Sequence, residues 1–254
     1  MALYFLNTFT CNARVPARLR TGTVSLLVET DQGPVLVDTG LGTADYRRKP
    51  AILRAFQLVT KVPLNVNEAA VRQLGRFGYR PEDVAHIVLT HMHFDHCGGL
   101  LDFPRALVHV HRRELEAFRS RPRRWTDLAY VRAHIAHEPT FVTYEEAGQQ
   151  WFDFAAVRLP FRPPMWLVPL IGDSRGHCGV ALDTDEGWHF HVAAAAPLAA
   201  AASLPAWLVR LVLGPHAPRL QAFGAAHPEI SMTTAHMELD FFEAQAAVPV
   251  AAAD

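Results

Sequence analysis

Four side chains able to bind a metal ion fall within six consecutive residues of this chain, as His91, His93, Asp95 and His96 in the stretch Thr-His-Met-His-Phe-Asp-His-Cys-Gly-Gly at 90–99. Alternate side chains of an extended segment point the same way, so His91 and His93 can converge on one point. The chain then turns, and Gly98-Gly99 permit close backbone approach, which frees Asp95 and His96 to aim at a second point nearby. Imidazole nitrogen and carboxylate oxygen suit Zn²⁺, and also Mn²⁺, Fe²⁺ or Co²⁺. Cys97 stands beside His96 with no base placed for it, and reads as a small buried thiol.

Elements that could hold such a cluster are legible on both sides of it. Ile87-Val88-Leu89 reads as a buried strand running straight into the motif, and Ala106–Val110 as another feeding a helix from about Arg112 to Phe118. Upstream, Thr23–Glu29 and Val35–Val37 flank the turn cluster Asp31-Gln32-Gly33-Pro34 and predict a hairpin. Asn67–Phe77 carries helical spacing. Downstream, Gly179–Asp183 and Trp188–Val192 predict a strand pair, and Glu229–Thr234 a strand leading to Ala235-His236. Strands alternating with helices imply an α/β architecture, taken as one domain over 1–254, with an elaboration at about 119–164 expected to cover the substrate.

The motif at 90–99 resembles the defining signature of the metallo-β-lactamase superfamily, and Leu36-Val37-Asp38-Thr39-Gly40 is similar to that family's first conserved segment. The resemblance runs from about Thr23 to His236. It implies a four-layer αβ/βα sandwich, two metal sites at one edge of the sheets, and hydrolysis by a metal-bound hydroxide. It further implies that His91 and His93 hold a first metal, that Asp95, His96 and His236 hold a second, and that Asp38 supports the site from behind. Asp95 would also orient the attacking water.

Two positions depart from the family pattern. Where members read Gly-His-Thr/Ser-x-Gly-His, this chain reads Gly172-Asp173-Ser174-Arg175-Gly176-His177, which puts Asp173 in the slot of the first metal's last ligand. Asp is itself a competent ligand. His177 matches a position that does not bind metal and is expected in the core or behind the ligands. Where the family carries a Gly-Asp whose carboxylate bridges the metals, this chain reads His191-Val192-Ala193-Ala194-Ala195, with Ala194 in the bridging slot and Ala195 the other register.

These residues imply a metal-dependent hydrolase of an ester, lactone, thioester or amide, weakened by loss of the bridging Asp, with one or two ions, Zn²⁺ foremost and Mn²⁺ or Fe²⁺ admissible. A catalytically inactive binding protein of the same fold is the alternative, and a mononuclear iron oxidoreductase built on Asp95, His96 and His236 a third. Phe56, Trp125, Trp151 and Trp166 are candidates to line an apolar pocket for a small-molecule substrate. With 24 basic and 25 acidic residues the formal charge is −1, so no overall field recruits nucleic acid or an anionic membrane. A homodimer is compatible with the composition. Three cysteines (Cys11, Cys97, Cys178) are too few for a disulfide framework, and the N-terminus lacks the basic start and apolar run of a secretory signal, so a cytoplasmic protein is expected. Val192–Leu213, broken by Pro197, Pro205 and Arg210, reads as a loop and a buried or half-buried helix.

Overall fold

A computed structural model describes residues 2–13, 19–146, 148–195 and 216–246. An eight-stranded sheet runs in the order β4 (Thr60–Lys61), β1 (Leu3–Ala13), β2 (Leu19–Thr30), β3 (Gly33–Val37), β5 (His86–Val88), β6 (Leu107–His111) and β7 (Phe141–Tyr144), with β15 (His236–Glu238) also pairing β2. A five-stranded sheet runs β10 (Val157–Arg158), β11 (Met165–Pro169), β12 (Cys178–Thr184), β13 (Gly187–Ala193) and β14 (Ser231–Thr234), and β8 (Gln150–Trp151) pairs β9 (Phe154–Ala155) apart from both. The hairpin expected around Asp31–Pro34 is the antiparallel pair β2/β3, and the pair expected around Asp183–Gly187 is β12/β13.

Period-two alternation sorts the side chains of the large sheet into two cores. Leu27, Leu36, Ile87 and Val108 face helices, where Leu74, Leu115 and Phe118 meet them. Val24, Leu26, Val28, Val35, Val37 and Val88 face the second sheet and pack on Met165, Leu167, Val180 and Leu182. The far face of that sheet, with Val168, Ala181, Phe190 and Val192, is covered by Leu220 and Phe223 of the helix Ala217–Ala226. Helices, sheet, sheet and helix make the αβ/βα sandwich. Each sheet is apolar on both faces because each is covered on both faces, which is what the continuous aliphatic runs of β3 and β5 required.

Some expectations meet a different outcome. The helix over Asn67–Phe77 is broken into 3₁₀ turns at Val66–Glu68 and Leu74–Phe77 around a single α-turn, Ala70–Gln73. Gln73 is turned inward there, its side-chain amide donating to the carbonyls of Asn7 and Glu68. That tie to β1 competes with a continuous helical ladder. Within 119–164, Phe141–Tyr144 and Val157–Arg158 close one edge of each sheet, so this stretch belongs partly to the framework. The loop and helix expected after Val192 lie largely outside the described residues, and no helix among those described is long and apolar enough to cross a membrane.

Candidate metal centre

The motif's strand and the two sheets meet at one edge, and the backbone there is fixed before any side chain is considered. Asp38 N–H donates to Val88 O, Thr39 N–H to His96 O, and Cys178 N–H to Thr90 O, so the ends of β3, β5 and β12 are laced together. The Gly98-Gly99 step lets the turn after His96 press against β3's exit: a Cβ on Gly99 would lie 2.9 Å from Thr39. His236 arrives from the far end of the chain through Ala235, whose N–H donates to Ala193 O in one sheet while its carbonyl accepts from Val24 N–H in the other. The chain thereby changes sheets and delivers His236 opposite Thr23.

Besides the buried group Asp38, His91 and His96, two triplets result. In the first, Oδ2 of Asp173 stands 3.0 Å from Nδ1 of His93 and 3.4 Å from Nε2 of His91. In the second, Oδ2 of Asp95 stands 3.7 Å from Nε2 of His96 and 3.8 Å from Nε2 of His236. In each triplet the donor atoms lie within 4.8 Å of one another. The triplets adjoin, with the His91 and His96 rings 4.0 Å apart between centroids. All six residues named from the sequence as ligands are therefore brought together in the predicted sets.

Behind them, Asp38 fixes tautomers. Its carboxylate accepts from Thr90 N–H at 2.8 Å, from Thr90 Oγ1–H at 2.6 Å and from His96 Nδ1–H at 2.7 Å. Because Thr90 spends its hydroxyl proton on Asp38, it can only accept from His91 Nδ1–H, 2.9 Å away. His91 and His96 are thus held by Nδ1 with Nε2 aimed forward, the arrangement metal-binding histidines need. Asp38 itself has φ +58°, a left-handed conformation that Asp tolerates better than most residues. His177 is buried beside them: Nδ1–H donates to Leu170 O at 3.0 Å and Nε2 accepts from Ala194 N–H at 3.1 Å, so neither nitrogen is free.

The electrostatics favour a cation in this space. Burial pushes His91 well below the ordinary imidazole range, with His96, His93 and His177 adding to the effect. Burial acts the same way on His96, but Asp95 and Asp38 outweigh it and hold its pKa up at about 9. Burial would raise Asp173, yet His93 foremost, then His177 and His96, bring it down to about 2. Carboxylates that stabilise a proton on imidazole stabilise a metal at the same lone pair. The first triplet passes a direct test of fit: Oδ2 of Asp173 is buried and makes no hydrogen bond, although two imidazole nitrogens face it. A cation among the three would satisfy what is otherwise an unmatched acceptor.

Ala193, immediately before the bridging slot, has φ +47°. That is a conformation a glycine supplies without cost, as the glycine of a Gly-Asp pair at 193–194 would. Of the four aromatic residues expected to line a pocket, Trp151 is core, with Phe190 4.7 Å away, and Trp166 packs on the same cluster. Phe56 stands 6.2 Å from Phe94 within the motif, and Trp125 is 72% exposed. Sequence reasoning assigned no role to Glu114, a fully buried carboxylate in the helix Arg112–Arg119. Its spacing from Phe118 on the inward stripe of that helix was the available signal.

The Metallo-beta-lactamase superfamily model matches residues 18–186 of this sequence. The chain belongs to the metallo-β-lactamase superfamily. It is 41% identical over 168 residues to a probable metallo-hydrolase of Mycobacterium tuberculosis, a match covering 65% of this chain and 54% of the relative. Over 94 residues it is 36% identical to an N-acyl homoserine lactonase of Bacillus cereus, covering 36% and 37% of the two chains. The chain thus spans about half the length of the first relative and less of the second. Among solved structures, a mutant of Bacillus thuringiensis AiiA with N-decanoyl-L-homoserine at its active site superposes with a TM-score of 0.68 at 20% identity, over 98% of this chain and 96% of that one. The dizinc quorum-quenching lactonase AidC superposes with a TM-score of 0.61 at 17% identity, over 86% and 74%.

Proposed function

We propose that this chain is a metal-dependent hydrolase of small-molecule esters, with lactones the foremost substrates, working with one or two divalent ions. The single observation that carries this reading is the pair of adjoining triplets, each of two imidazoles and one carboxylate, at the sheet edge. His91, His93 and Asp173 would hold one ion and Asp95, His96 and His236 the other. A divalent ion held there lowers the pKa of water from 15.7 toward about 7 and polarises a carbonyl oxygen. Zn²⁺ fits this donor set best, with Mn²⁺ and Fe²⁺ as alternatives.

The protein's own part is positioning. Asp38 and Thr90 hold His91 and His96 by Nδ1 and so turn their Nε2 atoms forward, Asp95 orients the attacking water, and Asp173 supplies the negative charge that the bridging slot lacks. The set still contains two carboxylates, as it would with a bridging Asp and a His at 173. The charge is relocated rather than lost. The names of the relatives, metallo-hydrolase and N-acyl homoserine lactonase, support this class of substrate.

A panel of esters, lactones, thioesters and amides, run on the purified protein before and after chelation and after return of Zn²⁺, Mn²⁺ or Fe²⁺, tests the reading. The expected result is turnover of an ester or lactone that chelation abolishes and metal restores. Turnover indifferent to chelation would reject it.

A second reading rests on Ala194. A methyl group cannot bridge two ions, and a superfamily member that binds metal and ligand without turning the ligand over would look like this. Full metal content with no hydrolysis in the parent chain, and hydrolysis appearing in an Asp173→His, Ala194→Asp variant, is the result that favours it.

A further inference from the structure

Glu114 is 0% exposed, and each of its carboxylate oxygens serves a different ligand-bearing loop. Oε1 accepts from Met92 N–H at 2.8 Å, and Met92 is the residue between His91 and His93. Oε2 accepts from Gly176 N–H at 3.0 Å and from Ser174 Oγ–H at 2.6 Å, and Ser174 follows Asp173 directly. Tyr130, whose ring lies 5.2 Å from that of His93, donates its hydroxyl to Oε1 at 3.1 Å. The loop and the helix are in close backbone contact as well, since a Cβ on Gly176 would collide with the main-chain nitrogen of Glu114.

From this geometry we infer that Glu114 is the positioning residue of the first triplet: it sets the separation of Asp173 from His91 and His93 and so tunes the affinity of that site alone. The inference rests on the metal-binding reading above. A carboxylate is the one side chain that does this, because both of its oxygens only accept and a main-chain N–H points at each. A glutamine would turn its amide NH₂ toward one of those N–H groups and release that loop. Among the described residues the second triplet has no tie to Glu114: Asp38 supports its His96 and Thr23 its His236. Within one molecule it is therefore an internal control.

The test is a Co²⁺ titration of the metal-free chain, followed by the visible absorption of the bound ion and by competition with a chelator, on the parent and on Glu114→Gln. The expected result is a fall of about 10–100-fold in affinity at the first site, the range for losing a partner behind the ligands, with the second site unchanged. If Glu114→Gln does not fold, Ser174→Ala and Tyr130→Phe each remove one donor while keeping both main-chain bonds. They are expected to weaken the first site on the order of fivefold, the worth of one ordinary hydrogen bond, again sparing the second. Equal weakening of both sites, or unchanged affinity at both, overturns the role of Glu114. A parent chain that takes up no Co²⁺ overturns the metal-binding reading with it.

Discussion

Nδ1 of His96 donates to Oδ2 of Asp38 across 2.7 Å in a space closed to solvent. The same carboxylate oxygen takes the Thr90 hydroxyl proton that makes Thr90 an acceptor for His91, so one buried Asp governs one imidazole in each triplet. Asp38→Ala should leave the Thr90 N–H and the His96 Nδ1–H buried without partners, at a stability cost of about 2–5 kcal/mol. Urea unfolding of the metal-free protein measures the cost, and zinc competition should show both sites weakened. Weakening at only one site would contradict the shared role.

Asp173 is the most distinctive member of the proposed ligand set, and two substitutions there separate charge from geometry. Asp173→Ala should remove the first ion while leaving the second, read as loss of one metal per chain. Asp173→His should retain metal binding, since imidazole is equally competent, while removing one of the set's two carboxylates. Retention of both ions by Asp173→Ala would show that another group completes the first site.

The left-handed backbone at Ala193 offers a test that needs no metal. Ala at φ +47° is strained where glycine is not, and Ala193→Gly should stabilise the metal-free protein by about 0.5–1 kcal/mol, net of the extra freedom glycine gains on unfolding. Joined to Ala194→Asp it rebuilds a Gly-Asp pair, and the double variant is expected to bind its second ion more tightly than the parent. A destabilised Ala193→Gly would mean that the register assigned to Ala194 is wrong.

Acid should weaken the fold through a histidine outside the metal set. His189 is buried on β13 between the Ser231 and Thr233 hydroxyls, and burial brings its pKa down to about 4. The unfolded chain, with His near 6.5, binds the extra proton first as pH falls, so this contribution is whole above pH 6.5 and is lost between there and about pH 4. The loss is about 2 kcal/mol by pH 5. His189→Asn should flatten the pH dependence of the urea midpoint by that amount between pH 7 and pH 5. An unaltered slope would place the acid-sensitive group elsewhere.

The convergence of the candidate ligands was legible because they are close in sequence or stand at strand ends where chain and sheet periodicity agree. His91, His93, Asp95 and His96 need only one strand and one turn to converge, and Asp173 and His236 each follow or precede a strand that packs across the sheet interface. Glu114 escaped because its place on the helix's inward stripe, four residues before Phe118, marks burial but not what the carboxylate holds. Its four donors come from Met92, Tyr130, Ser174 and Gly176, which only the assembled fold brings within reach. The Asn67–Phe77 helix failed for a similar reason: the inward tie of Gln73 to Asn7 is a tertiary contact invisible to helical periodicity. Trp151 and Trp166 show the converse error, since large aromatic side chains fill cores as readily as pockets.

Elemental analysis of the chain purified without chelator and dialysed against zinc, beside His93→Ala and His96→Ala, bears most directly on the central claim. One or two zinc ions per chain are predicted for the parent, with His93→Ala losing the first-site ion and His96→Ala the second-site ion. A parent chain that holds no divalent ion, or two variants that keep the parent's full complement, would contradict the account.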